Sequence, residues 1–190
     1  SHQESRIKFD NRPVEALRIL FEALEKSIVN HASKDSKWWK ANKIRLVQIC
    51  DSSFKYFAIL ACMAAPLTNI NIIEKLLSDT ELLESELSYE LGNLIQAGFI
   101  YLPKISQEFI EATILNLYSA MTNDPEQIVV VSQKRAQLLI KIPCQLRSES
   151  AQILLDNFVQ INGIVPTQPR ISSGGGFVRP PFTFEVFSLA

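Results

Sequence analysis

Histidine, glycine and cysteine are scarce in this chain, and each scarcity removes a class of chemistry. Only two histidines, His2 and His31, occur in 190 residues. They stand apart, and no Cys/His spacing matches a zinc site, so no metal is expected. With His31 as the one internal imidazole and no Gly-x-Ser-x-Gly turn, a hydrolytic triad is not expected either. His31 falls at a polar helix end, where a capping role toward the last carbonyls is expected. Of the six glycines, three form the run Gly174-Gly175-Gly176. That run lies between prolines rather than between a strand and a helix, so it reads as linker and not as a phosphate cradle; no cofactor is expected. Cys50, Cys62 and Cys144 form no CxxC pair and sit among apolar neighbours. Buried free thiols in a reducing compartment follow.

Charge of one sign is also lacking. Lys and Arg number 19 against 20 Asp and Glu, for a net charge of −1. A globally basic nucleic-acid binder and a polyanionic tail are both excluded. The longest apolar run, Tyr56 to Leu67, is about twelve residues. A bilayer span needs ~20, so a core helix is expected and no membrane association. The first residues, Ser1 to Arg6, carry no apolar signal segment, and a cytoplasmic or nuclear location is expected.

What the chain has is helical grammar. Hydrophobic residues make up 47% of it, ordinary for a packed domain. Leu17, Phe21, Leu24 and Ile28 recur at helical spacing, so residues 13–31 read as an amphipathic helix opened by Pro13. A second helix is expected over 36–50, with Trp39, Leu46, Ile49 and Cys50 on its apolar face. Residues 54–65 are apolar nearly all round and belong at the centre of the packing, with Pro66 as the stop. Asn71 with Glu74 and Ser78 with Glu81 suggest capping boxes, for a short helix over 69–77 and a longer one over 80–97 striped by Leu83, Leu87, Leu91 and Leu94. Gly98 is placed as a left-handed helix stop, and Phe99–Leu102 as a short extended segment. Three further helices are expected over 106–121, from Asp124 to 142, and over 148–161. Phe109, Ala112, Ile114 or Leu115, and Tyr118 are taken as inward in the first of these, and Ile153, Leu154, Phe158 and Val159 in the last.

From Ile164 the pattern changes. Pro166, Pro169 and the three glycines form a linker, and Phe182-Thr183-Phe184-Glu185-Val186 alternates as a half-buried strand does. The expected fold is all-α, an antiparallel stack of about seven or eight helices over residues 1–163. A Gly/Pro-rich linker and one short β-strand fill 164–190. A single strand needs a partner. Either it docks on the helical body or it opens a further domain of a longer protein, and the second is expected.

Charge is patterned although it sums to nearly nothing. Lys34, Lys37, Lys40, Lys43, Arg45 and Lys55 cluster around Trp38-Trp39, while residues 74–90 are net acidic. Basic residues interleaved with aromatics can hold phosphates and stack bases, or dock an acidic protein. On the helical wheel Trp39 falls with Leu46, so at least one tryptophan is expected in the core. Candidate partner-binding residues are Lys34, Lys37, Trp38, Lys40 and Arg45, together with Phe182, Phe184 and Val186. The carboxylates Glu81, Glu84, Glu86 and Glu90 are read as a solvated face with no catalytic part. Residues 57–102 also resemble the layout of a winged-helix domain, with 86–97 as recognition helix. That helix carries no Lys or Arg, so DNA binding would not follow from it.

Helices of this length joined by short Pro/Ser/Asp turns resemble HEAT-like and armadillo-like scaffolds. The tail, with Leu138-Leu139-Ile140-Lys141-Ile142-Pro143 before the last helix, is similar to that of the seventh Integrator subunit over roughly the last third of the chain. This resemblance implies a nuclear, non-enzymatic scaffold in RNA processing, and no functional residue is carried over from it. A protein-interaction scaffold with other protein subunits as partners is the leading expectation, and a nucleic-acid-associated module using residues 34–55 is the alternative.

Overall fold

The structure, a computed structural model, describes residues 12–49, 51–119 and 125–165. They form an all-α fold. Helices α1 (Arg12–Ser33), α2 (Lys37–Gln48) and α3 (Ser52–Ala64) are followed by α4 (Ile70–Leu77), α5 (Thr80–Leu83) and α6 (Ser88–Gly98). Then come α7 (Lys104–Leu115), α8 (Pro125–Leu139) and α9 (Glu149–Asn162). The expected strand over 182–186 and its linker lie outside the described residues.

Helix α3 is the hub of the first half, as its uniformly apolar sequence requires. Phe57, Ala58, Ile59, Ala61 and Cys62 are all buried, and α1, α2, α4 and α6 all pack on it. Helix α6 carries the packing onward to α8, which holds α7 on one side and α9 on another. The succession α1, α3, α6, α8, α9 therefore runs through one continuous apolar core, from Ile28 to Phe158.

Four local expectations are corrected. The helix expected over 80–97 is two helices, α5 and α6, separated by a turn at 84–87. Ser85 is the cause: its hydroxyl bonds back to the Leu82 carbonyl at 2.6 Å and accepts the Leu87 amide at 3.2 Å. Serine offers the backbone an alternative to the helix here. The caps also differ. Asp79, not Ser78, caps α5 by accepting the Leu82 amide at 3.1 Å, and Asn69, with no side-chain cap bond, precedes α4. Gly98 has φ −120 and is no left-handed stop. It is small because Ile73 is close: a Cβ there would stand 2.8 Å from Ile73 Cδ1. Finally, Phe99–Tyr101 is a 3-10 turn and not extended, so the strand wing required by a winged-helix layout is not formed there.

The inward face of α7 is rotated from expectation. Ser106, Ile110, Glu111 and Ile114 are buried, whereas Phe109 is 57% exposed and Ala112 is exposed. In α9, Ala151, Leu155 and Phe158 are buried, while Ile153 and Val159 face outward. Ile153, Leu154 and Phe158 all border a groove instead, described below. Cys62 is buried as expected, but Cys144 is exposed, because Pro143 turns the chain into a 3-10 segment at the surface.

Candidate functional site

Of the candidate partner-binding residues, Arg45 lies in the last turn of α2, and Lys34, Lys37, Trp38 and Lys40 lie where α1 turns into α2. The turn is made by Asp35 at φ 45, a left-handed position that aspartate tolerates. Ser36 then caps α2 by accepting the Trp39 amide at 3.1 Å. Its hydroxyl also shares a 2.9 Å hydrogen bond with His31 Nδ1. His31 thus braces the cap of the next helix as well as ending its own. Its ring lies 5.1 Å from that of Trp38, tilted by 37°.

The two tryptophans diverge. Trp39 is fully buried, and its indole N–H donates to Asn69 Oδ1 at 2.8 Å. Asn69 is itself buried and donates to the Ala65 carbonyl at 2.9 Å, so the amide bridges α2 to the end of α3. Trp38, one position earlier, points away from that core and is 42% exposed.

The six cations divide as well. Lys55 pairs with Asp79 at 2.7 Å and is drawn out of the basic surface. Lys43 donates to the Thr68 carbonyl at 3.2 Å and to Asn69 Oδ1 at 3.3 Å, which makes it part of the Trp39 anchor. Lys40 is exposed but pairs with Asp35 at 2.8 Å, a surface contact of little energetic weight. Lys34, Lys37 and Arg45 are exposed and make no ion pair among the described residues. Among the described residues the surface therefore keeps three cations outside ion pairs, Lys34 and Lys37 next to the half-open Trp38 in the chain and Arg45 further along α2. Phe182, Phe184 and Val186 lie outside the described residues and are not placed against it.

Elsewhere several polar groups join helices, while Glu81 and Glu86 are exposed. Glu84 is not a solvated decoration: it accepts the Tyr118 amide at 2.6 Å, and its own carbonyl accepts the Tyr118 hydroxyl at 2.7 Å. These bonds, with Lys134 Nζ 2.9 Å from the same hydroxyl, hold Tyr118 at φ 56, an unusual backbone for a bulky residue. Arg135 clasps the Leu117 carbonyl through both Nε and Nη2. Among the described residues, no three His, Cys, Asp or Glu side chains are close enough to hold a metal ion. No helix among them is long and apolar enough to cross a membrane.

A second surface was not foreseen. Helices α8 and α9 border an open groove of about 440 Å³, lined by Ile128, Val129, Ile153, Leu154, Phe158 and Ile161. Its sequence signal is the pair of apolar stretches Ile128–Val131 and Ile153–Ile161, which exceed what one face of each helix can bury. Comparison of the chain with protein-family models, with curated proteins and with solved structures finds no match.

Proposed function

We propose that this chain is a non-enzymatic protein-interaction scaffold, a helical part of a larger protein or multi-subunit complex, whose α1–α2 corner receives an acidic segment of a protein partner. One observation carries the reading: Trp38 is half-open, with the exposed Lys34 and Lys37 before it in the chain and the exposed Arg45 about two helical turns further along α2. None of the three cations makes an ion pair among the described residues. An indole supplies apolar contact area at little entropic cost, and exposed cations select an acidic ligand and speed its capture. Glu84, Asp79, Glu111 and Arg135 are engaged in caps and helix junctions, which agrees with a contact role. The resemblance to HEAT-like and armadillo-like scaffolds points the same way, with a cytoplasmic or nuclear setting. Single-stranded nucleic acid is the second reading, since the same indole and cations would stack a base and neutralise phosphates.

Trp38 fluorescence distinguishes them, because buried Trp39 contributes a constant background. Titration with a glutamate-rich, aromatic-containing peptide is expected to shift the emission, and Lys34→Glu/Lys37→Glu/Arg45→Glu is expected to abolish the shift. A response to a single-stranded oligonucleotide alone, weakening steeply with salt, establishes the second reading. No response to either ligand rejects the surface.

A further inference from the structure

The α8/α9 groove has no charged residue in its lining, so its natural occupant is uncharged and apolar, unlike the ligand of the α1–α2 corner. Ile161, at its rim, is 81% exposed, and Ile128, Val129 and Ile153 are also open to water. Apolar side chains gathered along one groove mark a surface that something covers.

The path of the chain says what. Helix α9 ends at Asn162, and Gly163 at φ 86 turns the backbone where a side chain would be strained. Val165 then packs back against the core. The last described residue is thus held against the helical body rather than projecting from the end of α9. About 17 residues separate Val165 from Phe182. A Gly/Pro-containing linker of that length has a root-mean-square reach of roughly 20–25 Å, close to the ~21 Å length of a helix of this size.

Dimensions and chemistry agree. The groove residues of α9 run from Ser150 to Asn162, roughly 18 Å along the axis. Five extended residues span roughly 13 Å and so fit within that length, with same-side side chains about 6.6 Å apart, near the ~6 Å between helix positions i and i+4. The segment Phe182-Thr183-Phe184-Glu185-Val186 presents three apolar residues on one side and its one carboxylate on the other. We propose that Phe182, Phe184 and Val186 dock in cis along the groove between α8 and α9. Their side chains cover Ile153, Leu154, Phe158 and Ile161, and Glu185 faces water. Ser132 and Asn157, both in the lining, supply polar partners for the docked backbone.

The test is hydrogen–deuterium exchange on the full chain, comparing the wild type with Phe182→Asp/Phe184→Asp/Val186→Asp. Unchanged far-ultraviolet circular dichroism of the variant checks that the body stays folded. Amides of residues 128–132 and 150–162 are expected to exchange about tenfold faster in the variant, the rate change that accompanies loss of ~1.4 kcal/mol of local protection. Ile161→Asp, at an exposed position, is expected to give the same change, and the combined variant no more than either alone. Unchanged exchange in the tail variant overturns the proposal. Protection that grows with protein concentration, together with a dimer mass in light scattering, overturns it too, because the occupant is then a second copy.

Discussion

A single buried amide fixes the position of Trp39. Asn69 accepts from the indole and donates to the end of α3, so Asn69→Ala strands a buried N–H and a carbonyl together. A loss of about 2–4 kcal/mol is expected, read as a lowered urea midpoint. The burial of Trp39 was legible from its spacing with Leu46. Its partner was not, because thirty positions separate them and pattern reading sees only neighbours. The cysteines differ in the same local way. Burial pushes the Cys62 thiol from its ordinary 9.0 up to about 12, opposed only weakly by Lys43. A native chain at pH 8 is therefore expected to be alkylated at Cys144 and spared at Cys62, as peptide mapping would show. The raised value also sets a pH dependence. Unfolded Cys62 loses its proton above pH 9 while the folded thiol keeps it, so stability falls as pH rises toward 12. Tyr56 acts in the same direction, since burial and its 2.6 Å bond to Glu25 raise its hydroxyl as well. Cys62→Ala is expected to flatten part of this alkaline limb in denaturation measured from pH 8 to 11.

Helix existence was legible, and helix ends less so. Helices α1, α2, α3 and α9 begin and end within about two residues of expectation, because proline, serine or glycine punctuates them. The break between α5 and α6 escaped notice because a leucine stripe runs through it; the stripe records which side is buried, not whether the backbone is continuous. In α7 the buried side itself differs from the apolar pattern, because the residue facing inward is not Phe109 but Glu111. That residue is only 6% exposed and accepts the Ser148 amide with both carboxylate oxygens, at 2.9 and 3.2 Å. Ser148 in turn caps α9 through the Ala151 amide at 3.2 Å. A capping box ordinarily draws its carboxylate from within the same helix; here α7 supplies it. Glu111→Ala is expected to cost about 1–3 kcal/mol in chemical denaturation, and Glu111→Gln less, because an amide oxygen still accepts. At the start of α5, Asp79 combines a cap with an ion pair. Burial raises its carboxyl, but the Lys55 hydrogen bond and the Leu82 amide outweigh that and hold it below 3.8. The stabilisation is present above about pH 4 and is lost as pH falls through the lowered value. Asp79→Asn is expected to shallow the acid limb of the stability profile.

Across the molecule, nearly neutral composition conceals two unlike surfaces. The cationic corner was legible as a run of lysines, yet the structure withdraws Lys43 and Lys55 into helix contacts and leaves a smaller patch. The apolar groove is only hinted at in the sequence, by apolar residues in excess of one face on α8 and on α9. Neither stretch by itself records that the two helices face each other across the turn between them. One core joins both surfaces, so a chain limited to residues 12–165 is expected to keep its helical circular dichroism and to unfold in one transition. If the transition splits, the halves around α3 and α8 are separate units. The carboxylate of Glu111 has a further effect, on time rather than stability. It precedes the amide it serves by 37 residues. During synthesis α7 leaves the ribosome well before Ser148, and the acceptor is in place when α9 arrives. The last helix is thereby completed on a surface already made, and the order of synthesis matches the order of assembly.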